Sequence, residues 1–200
     1  NALWGLPSRS NQIYTSSYGE LTYNNINGEM TSTILEVAFH DNPDDVNLLI
    51  TAGFRRDCAR AVLQGIVDYF VARGSPNATY LPDSPDLKKA VITGSGQATL
   101  SWTAPPSGGV GADPATGYIV YRSLDGVSWD NGIDVGNVLT YDYTGLTAGA
   151  ENYFRVSAYN AGGESFPSET LGVRMTDDGF TADVLVASGS VSYTHLRAHE

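Results

Sequence analysis

The residue whose position most suggests chemistry is Glu36, a single carboxylate inside an apolar run. From Thr33 to Phe39 the sequence reads Thr-Ile-Leu-Glu-Val-Ala-Phe. The β-branched and aliphatic residues of this run predict a short, mostly buried strand. Burying an unpaired carboxylate is costly or forces it to take up a proton. A glutamate here is therefore expected to be paired, to lie at an exposed edge or to belong to a site.

A plain structural role for Glu36 is the alternative. If the strand lies at the edge of a sheet, alternation turns Leu35 and Phe39 toward the core and leaves Glu36 and His40 in solvent. His40 lies about 13 Å from Glu36 along an extended strand, at roughly 3.3 Å per residue, which is too far for both to bind one metal ion. We therefore interpret His40 as a hydrogen-bonding loop residue.

Two other groups of side chains could be taken for metal sites. Asp41, Asp44 and Asp45 offer the oxygen ligands that calcium prefers, but acids are also stabilised at the start of a helix without any ion. His195 and His199 are four residues apart, which suits metal binding on a helix. They lie in residues 191–200, which resemble a translated sequencing-adaptor read-through, so we infer no function from them.

The remaining candidates are one thiol and three aromatic rings. Cys58 is the single cysteine. It falls on an apolar stripe and has no histidine partner within sequence reach, which favours a core position over a nucleophile. Trp102, Tyr118 and Tyr121 could form a platform on which sugars stack. Alternation places Trp102 in a core, so packing is the interpretation that we favour.

Two helices are predicted after the Glu36 strand. Asn42-Pro43-Asp44-Asp45 supplies an N-cap residue, a proline for the first turn and two acids, and we expect this helix to end near Ile50. A second helix is predicted from about Phe54 to Gly74, because apolar residues recur at three- and four-residue intervals and would face a core. These residues are Phe54, Cys58, Ala61, Val62, Ile66, Tyr69 and Phe70.

Strand, capped turn and amphipathic helix, over residues 10–73, resemble the end of the catalytic domain of zinc-dependent N-acetylmuramoyl-L-alanine amidases. The resemblance is carried by the runs Ile34–Phe39 and Asn42–Asp45, although Ala38 stands where the family often has glycine. It implies that Glu36 is the catalytic glutamate beside a metal-bound water. It also implies a Zn²⁺ held by two histidines and a glutamate upstream of Asn1, so that this piece is inactive alone.

After the helices the pattern changes from a helical period to a period of two. Residues 75–86 are rich in proline and serine and predict a semi-rigid linker. Beyond it, alternation places two sets of residues on single strand faces. The sets are Ala98, Leu100 and Trp102, and Phe154, Val156 and Ala158. Glycine-containing turn clusters divide the strands at the spacing of an all-β sandwich.

Particular residues in this part resemble a fibronectin type III domain. They are Trp102 before Pro105-Pro106, Gly117-Tyr118, the run Leu146–Gly149, and Phe154–Asn160 with Gly163 and Pro167-Ser168 after it. One position departs from the family pattern. The tyrosine-corner position falls on Asn152, and Tyr153 is displaced by one residue to the other face. We expect the corner hydrogen bond to be replaced or absent.

The predicted organisation is an α/β piece at residues 1–74, the linker, an all-β fibronectin type III sandwich at 87–175 and the start of a further module at 176–200. The net charge of −11, with 11 Lys and Arg, argues against a nucleic-acid partner. No apolar run reaches the roughly 18 residues of a membrane helix.

By resemblance, we expect a piece of a secreted or periplasmic modular hydrolase that cuts the N-acetylmuramoyl-L-alanine amide bond. Its partner would be peptidoglycan or another cell-wall glycan. The alternative is a non-catalytic adhesion or carbohydrate-binding protein that uses the fibronectin type III domain. A secreted peptidase or polysaccharide-degrading enzyme with the same accessory domain is a third possibility.

Overall fold

The computed structural model describes residues 32–75, 78–107 and 112–177, together with a short strand at 185–186. By their internal contacts, the residues divide into two compact units with the boundary after Ala61. Among the described residues, no helix combines the length and the apolar character needed to cross a bilayer.

Helix α1 (Pro43–Leu49) begins where the sequence predicts. Asn42 has an extended backbone, and its side-chain oxygen accepts a hydrogen bond from the Asp44 N–H at 3.0 Å. Pro43 occupies the first turn, where its missing N–H costs nothing. The predicted end near Ile50 is confirmed, since the Ile50 N–H still donates to the Val46 carbonyl at 3.0 Å.

Helix α2 (Ala52–Ala72) confirms the second predicted helix, although its predicted apolar stripe is covered only near its start. Phe54 is buried, whereas Val62, Ile66 and Phe70 are 38%, 49% and 53% exposed. Arg55, in the first turn of α2, donates from its Nη1 to the carbonyl of Leu49 at the end of α1, at 2.7 Å. That bond satisfies one of the carbonyls that the end of a helix leaves without a partner.

The strand predicted from Thr33 to Phe39 is wrong. Residues 32–39 have no regular secondary structure. The regular secondary structure in the described part of residues 1–74 therefore consists of the two helices and contains no strand. A strand requires a neighbouring strand to pair its backbone groups, and none of the described strands pairs with this segment. Ile34, Leu35 and Val37 are accordingly 45%, 60% and 45% exposed.

The second unit contains a sandwich of two antiparallel sheets. Its strands are β1 (Asp86–Gly94), β2 (Gln97–Thr103), β3 (Gly117–Ser123), β4 (Ile133–Gly136), β5 (Thr140–Thr144), β6 (Glu151–Asn160), β7 (Gly163–Glu164), β8 (Leu171–Arg174) and β9 (Leu185–Val186). The smaller sheet has the order β1-β2-β5. The larger sheet has the order β4-β3-β6-β8-β9, and β7 pairs with β6.

The core lies between the two sheets, and its residues are those that alternation predicts. The inward set of β2 and the inward set of β6 are both buried, with no residue more than 3% exposed. Tyr118 and Val120 of β3 lie beside Ala158 and Val156 in the register of the larger sheet. The Trp102 and Tyr118 rings meet across the core with centroids 5.6 Å apart.

Asn152 replaces the tyrosine corner, as the departure from the family pattern predicts. Its side chain is fully buried, and its Oδ1 accepts from Arg122 Nε at 2.8 Å while its Nδ2 donates to the Ala150 carbonyl at 3.1 Å. Tyr153 lies on the other face, where its hydroxyl donates to Glu151 at 2.8 Å. A buried amide therefore makes the bonds that replace those of a phenol at this corner.

The second half of the predicted linker is not free, because residues 79–85, here called the strap, lie against the sandwich. The Tyr80 N–H donates to Asp113 at 2.8 Å, and Asn160 Nδ2 donates to the Tyr80 carbonyl at 2.8 Å. Pro82 and Pro85 are buried. The Tyr80 hydroxyl also donates to the Asp68 carboxylate of α2. Hydrogen bonds and burial thus hold this segment in place.

Candidate binding face

Glu36 lies in the segment without regular structure, and its side chain is exposed. The expectation of apolar, buried surroundings for this carboxylate is therefore wrong. Its catalytic role depends on residues outside this chain and stays a prediction. His40 is also exposed and is part of the turn that precedes α1.

The buried carboxylate in this part of the chain belongs to Asp45, which is 1% exposed. It accepts a hydrogen bond from the Phe39 N–H at 3.0 Å and lies in the first turn of α1, where the helix dipole favours a negative charge. Helix capping thus accounts for Asp45. Among the described residues, no three His, Cys, Asp or Glu side chains gather where they could hold a metal ion.

Cys58 is partly buried in α2. Burial is the main cause that raises the pKa of its thiol, and the neighbouring Asp57 adds to the effect. A raised pKa keeps the thiol protonated near neutral pH and makes it a poor nucleophile.

The three aromatic residues considered as a sugar platform do not lie together. Trp102 and Tyr118 are 3% and 2% exposed, which confirms that they pack in the core. Tyr121 instead lies partly exposed on the solvent side of the larger sheet. Tyr121 and the residues that ring contacts, hydrogen bonds, charge interactions and strand pairing connect to it, directly or through one another, define the surface that we call the outer face. The residues connected to Tyr121 are Trp129, Asp130, Asp134, Arg155, Tyr159 and Glu164.

Strand register brings the outer face together. Tyr121 of β3 lies directly opposite Arg155 of β6, and Tyr159 lies opposite Gly117. The alternation that buries Phe154, Val156 and Ala158 places Arg155 and Ser157 on the opposite face of the sheet, where Arg155 is partly exposed and Ser157 is covered. The residues of β6 that face the core therefore also determine which of its residues lie on the opposite side of the sheet.

Arg155 is held between two aromatic rings. Its guanidinium carbon lies 4.1 Å from the centre of the Trp129 ring and 5.3 Å from that of Tyr121. Burial lowers the pKa of Arg155, and Tyr121, Glu164 and Asp130 oppose that effect. An arginine keeps its charge at any ordinary pH, so this is a fixed cation stacked on two rings. Its Nε is buried and has no hydrogen-bond partner among the described residues.

Two carboxylates fix the tyrosine rings of the outer face. The Tyr121 hydroxyl donates to Glu164 at 2.6 Å, and the buried Ser157 hydroxyl donates to the same carboxylate oxygen. The Tyr159 hydroxyl donates to Asp134, with its two oxygens at 3.0 and 3.1 Å. Burial first, and then the bond to Glu164, raises the pKa of Tyr121 to about 12. Each ring is thereby held in one position before any ligand arrives.

Two glycines let these rings lie close to the sheet. A Cβ atom on Gly117 would lie 2.3 Å from the Tyr159 ring, so only glycine permits that ring to cross its neighbour. Gly132 has a φ of +72°, and a Cβ there would lie 2.5 Å from Ile119 and 2.7 Å from the Tyr121 ring. Asn131-Gly132 is one of the glycine-containing turn clusters of the sequence, and a turn signal does not predict the close approach of Gly132 to the Tyr121 ring.

The loop that precedes Trp129 is tightly bonded and displays apolar side chains. Asp125 accepts hydrogen bonds from the Val127 and Ser128 N–H groups at 2.8 and 2.7 Å and from the Ser123 hydroxyl at 2.8 Å. These bonds, the backbone ones first, hold the pKa of Asp125 well below its usual range. Leu124 and Val127 nevertheless stay 64% and 80% exposed.

Comparison with known proteins assigns the sandwich. Residues 83–174 match the family model described as the fibronectin type III domain. The β-sandwich of two sheets agrees with that match, and the predicted fibronectin type III domain is confirmed. No finding supports an amidase domain in the described residues.

Several solved structures are similar to about half of this chain. A beta-1,2-glucanase from Parabacteroides distasonis is 22% identical with a TM-score of 0.40, over 48% of this chain and 13% of that chain. The chicken CNTN1 FN1-FN3 domains are 18% identical with a TM-score of 0.41, over 48% of this chain and 33% of that chain. A fibronectin type III domain derived from the human KIAA0970 protein is 17% identical with a TM-score of 0.43, over 55% of this chain and 86% of that chain.

Proposed function

We propose that the fibronectin type III domain at residues 83–174 is a non-catalytic binding module that attaches its protein to a partner through the outer face. The observation that carries the proposal is the cluster of aromatic rings, one guanidinium and carboxylates on the solvent side of β3, β4 and β6. This is the alternative that the sequence left open, an adhesion or carbohydrate-binding role.

Aromatic side chains on the outer face favour binding over a purely structural role. Tyr121, Trp129 and Tyr159 remain partly exposed although the core between the sheets is already filled by other rings. Tyrosine and tryptophan supply large contact areas and lose little conformational entropy on binding, which is why they dominate binding surfaces. The bonds to Glu164 and Asp134 lower that entropy cost further, because they fix the rings in advance.

The amidase function proposed by resemblance concerns a longer protein. It requires zinc ligands upstream of Asn1 and a role for Glu36, whose side chain is exposed here. A binding module and an upstream hydrolase are compatible, since fibronectin type III domains of secreted bacterial hydrolases resemble spacers or attachment modules. The binding role rests on described residues, and it is the one that we put forward for this chain.

Sedimentation with insoluble bacterial cell walls tests the proposal. The complete 200-residue chain is mixed with the walls and the bound fraction is measured after centrifugation, for the parent, Trp129→Ala and Phe70→Ala. Phe70 is the matched control, because it is an exposed aromatic residue on α2 rather than on the sheet.

We expect the parent and Phe70→Ala to bind alike and Trp129→Ala to bind at least about fivefold more weakly, which corresponds to roughly 1 kcal/mol of lost aromatic contact. Circular dichroism establishes that each variant is folded. Absence of wall binding by the parent, or equal binding by all three proteins, would remove the proposal for this partner.

A further inference from the structure

The outer face offers a stacking surface with hydrogen-bond acceptors on two sides of it. Trp129 and Tyr121 flank Arg155, and the carboxylates of Glu164 and Asp134 lie at the hydroxyl ends of Tyr121 and Tyr159. Aromatic rings bind flat, weakly polar surfaces, and carboxylates accept hydrogen bonds from hydroxyl groups. A pyranose presents both features, since it has an apolar face of C–H bonds and hydroxyl groups around its edge.

The outer face also carries a hydrogen-bond donor. The side chain of Arg155 is partly exposed and carries hydrogen-bond donors only, although its Nε is itself buried. The described part of the outer face thus holds acceptors and a donor in fixed positions around rings. That combination matches a ligand whose groups both donate and accept, as sugar hydroxyls do.

Charge narrows the class of ligand. Asp130, Asp134 and Glu164 outnumber Arg155 on the outer face, and the whole chain carries a net charge of −11. These carboxylates repel an anionic polymer such as a nucleic acid or a polyuronate. A protein partner is less well matched, because the centres of protein interfaces are depleted of Asp and Glu.

Resting on the proposed function, we infer that the ligand of the outer face is a neutral glycan. Its sugar rings stack on Trp129 and Tyr121, and its hydroxyl groups donate to Glu164 and Asp134. Arg155 positions the two rings, and one of its guanidinium N–H groups other than the buried Nε–H donates to a sugar oxygen.

A series of soluble polysaccharides that differ in charge and linkage tests whether the ligand is a neutral glycan. Hydroxyethyl cellulose, carboxymethyl cellulose and chitosan share a β-linked backbone of pyranose rings and are neutral, anionic and cationic. Laminarin and dextran extend the neutral set to other linkages. Native gels containing each polymer are run with the complete chain and with Trp129→Ala, Glu164→Gln and Phe70→Ala, and dissociation constants follow from the retardation.

We expect at least one neutral polymer to retard the parent at least threefold more strongly than carboxymethyl cellulose does. Chitosan is a polycation and should attract this acidic chain without regard to the rings, so any retention by chitosan should be the same for the parent and Trp129→Ala. Trp129→Ala and Glu164→Gln should each weaken retention by the neutral polymer about fivefold or more, and Phe70→Ala should leave it unchanged. Glu164→Gln keeps the shape of the side chain, so its effect reports on the carboxylate even if Trp129→Ala perturbs the fold.

The inference would be overturned by stronger retention with carboxymethyl cellulose, by retention with chitosan that depends on Trp129, or by no retention with any neutral polymer. Retention by a neutral polymer that is unchanged in both Trp129→Ala and Glu164→Gln would overturn it as well. Its failure is separable from failure of the proposed function. Wall binding that depends on Trp129, together with no retention by the neutral polymers, would keep the binding module and remove the neutral glycan as its ligand.

Discussion

Tyr121 links the two halves of the outer face, because its ring contacts Arg155 and its hydroxyl donates to Glu164. The protonated hydroxyl is the form that makes this bond. Burial and the neighbouring carboxylate both disfavour a tyrosinate, which is why the pKa of Tyr121 rises from 10.0 to about 12. This shift couples the stability of the domain to alkaline pH.

The first prediction concerns that coupling. Since the pKa is raised on folding, the stabilising contribution of Tyr121 is fully present below about pH 10 and is lost as the pH rises through about 12. We expect the ultraviolet titration of tyrosinate to show a late-ionising tyrosine that disappears in Tyr121→Phe. The difference between the two titrations reports the ionisation of Tyr121. If that difference shows a group that ionises near pH 10, the proposed burial and bonding of Tyr121 are wrong.

Asn152 supports the second prediction at the residue scale. Replacing it with alanine leaves the Nε of Arg122 without its acceptor in a buried place, so the free energy of unfolding should fall by about 1–3 kcal/mol. Asn131→Ala is the control, because Asn131 is exposed in a loop, and should change stability by less than about 0.5 kcal/mol. Urea unfolding measures both, and similar losses in the two variants would contradict this account of the corner.

Single residues were predictable where their surroundings are local. Asn42 and Pro43 start α1 as expected, because capping depends on neighbours within a few positions. The strand predicted around Glu36 was wrong, because a strand requires a neighbouring strand that local sequence does not reveal. Trp129 was missed for a related reason. It lies in a loop, and only the register of β3 against β6 brings it beside Arg155.

At the scale of elements, the strap is the feature that sequence composition described least well. Proline and serine between Gly74 and Pro85 suggested a spacer, yet the strap runs along the turn between β6 and β7. A Cβ atom on Gly162 would lie only 2.4 Å from the Thr79 carbonyl oxygen. The close approach of two backbones, which a composition rule cannot detect, decides the structure of this segment.

Gly162→Ala is the third prediction. The added methyl group meets backbone rather than a movable side chain, so the strap must shift, and we expect the free energy of unfolding to fall by about 1 kcal/mol or more. Gly94→Ala is the matched control within the sandwich, because its Cβ would make only ordinary contacts at 3.7 and 3.9 Å with Gln97. Thermal unfolding compares the two, and an equal effect of both changes would argue against a docked strap.

Strands and helices were predicted best where their periodicity is long and regular. Buried and less buried residues alternate along most of β2 and over the first six residues of β6, and the predicted inward sets of both strands lie in the core. The run Thr33–Phe39 has similar composition but is not paired in the described part of the chain. The apolar stripe of α2 is a parallel case, because a correct helix prediction did not determine what covers Val62, Ile66 and Phe70.

For the whole molecule, the sandwich with its strap is expected to behave as one folding unit. The family model starts at residue 83, whereas the hydrogen bonds of the strap begin at Tyr80. Family boundaries drawn from sequence therefore omit residues that this domain uses. The overall fold was predictable from period and turn spacing, since many strands supply the same signal, but the position of the strap was not.

The fourth prediction compares two shortened chains, residues 78–200 and residues 86–200. The shorter chain loses the two hydrogen bonds that join Tyr80 to Asp113 and Asn160, and the burial of Pro82 and Pro85. We expect its sandwich to be less stable by about 2 kcal/mol or more, from two hydrogen bonds and the buried apolar surface of two rings. Urea unfolding followed by tryptophan fluorescence measures the difference. Equal midpoints for the two chains would show that the strap contributes nothing.

Binding through the outer face is the central claim for the molecule, and the indole N–H signals of its tryptophans test it directly. The complete chain, labelled with nitrogen-15, is titrated with a neutral glycan that retards it in gels while Trp129, Trp102 and the Arg155 Nε–H are observed. Trp102 is an internal control, because its indole is buried in the core. We predict that the Trp129 and Arg155 signals move progressively and the Trp102 signal stays in place. Movement confined to other residues, with Trp129 and Arg155 unchanged, would contradict the account.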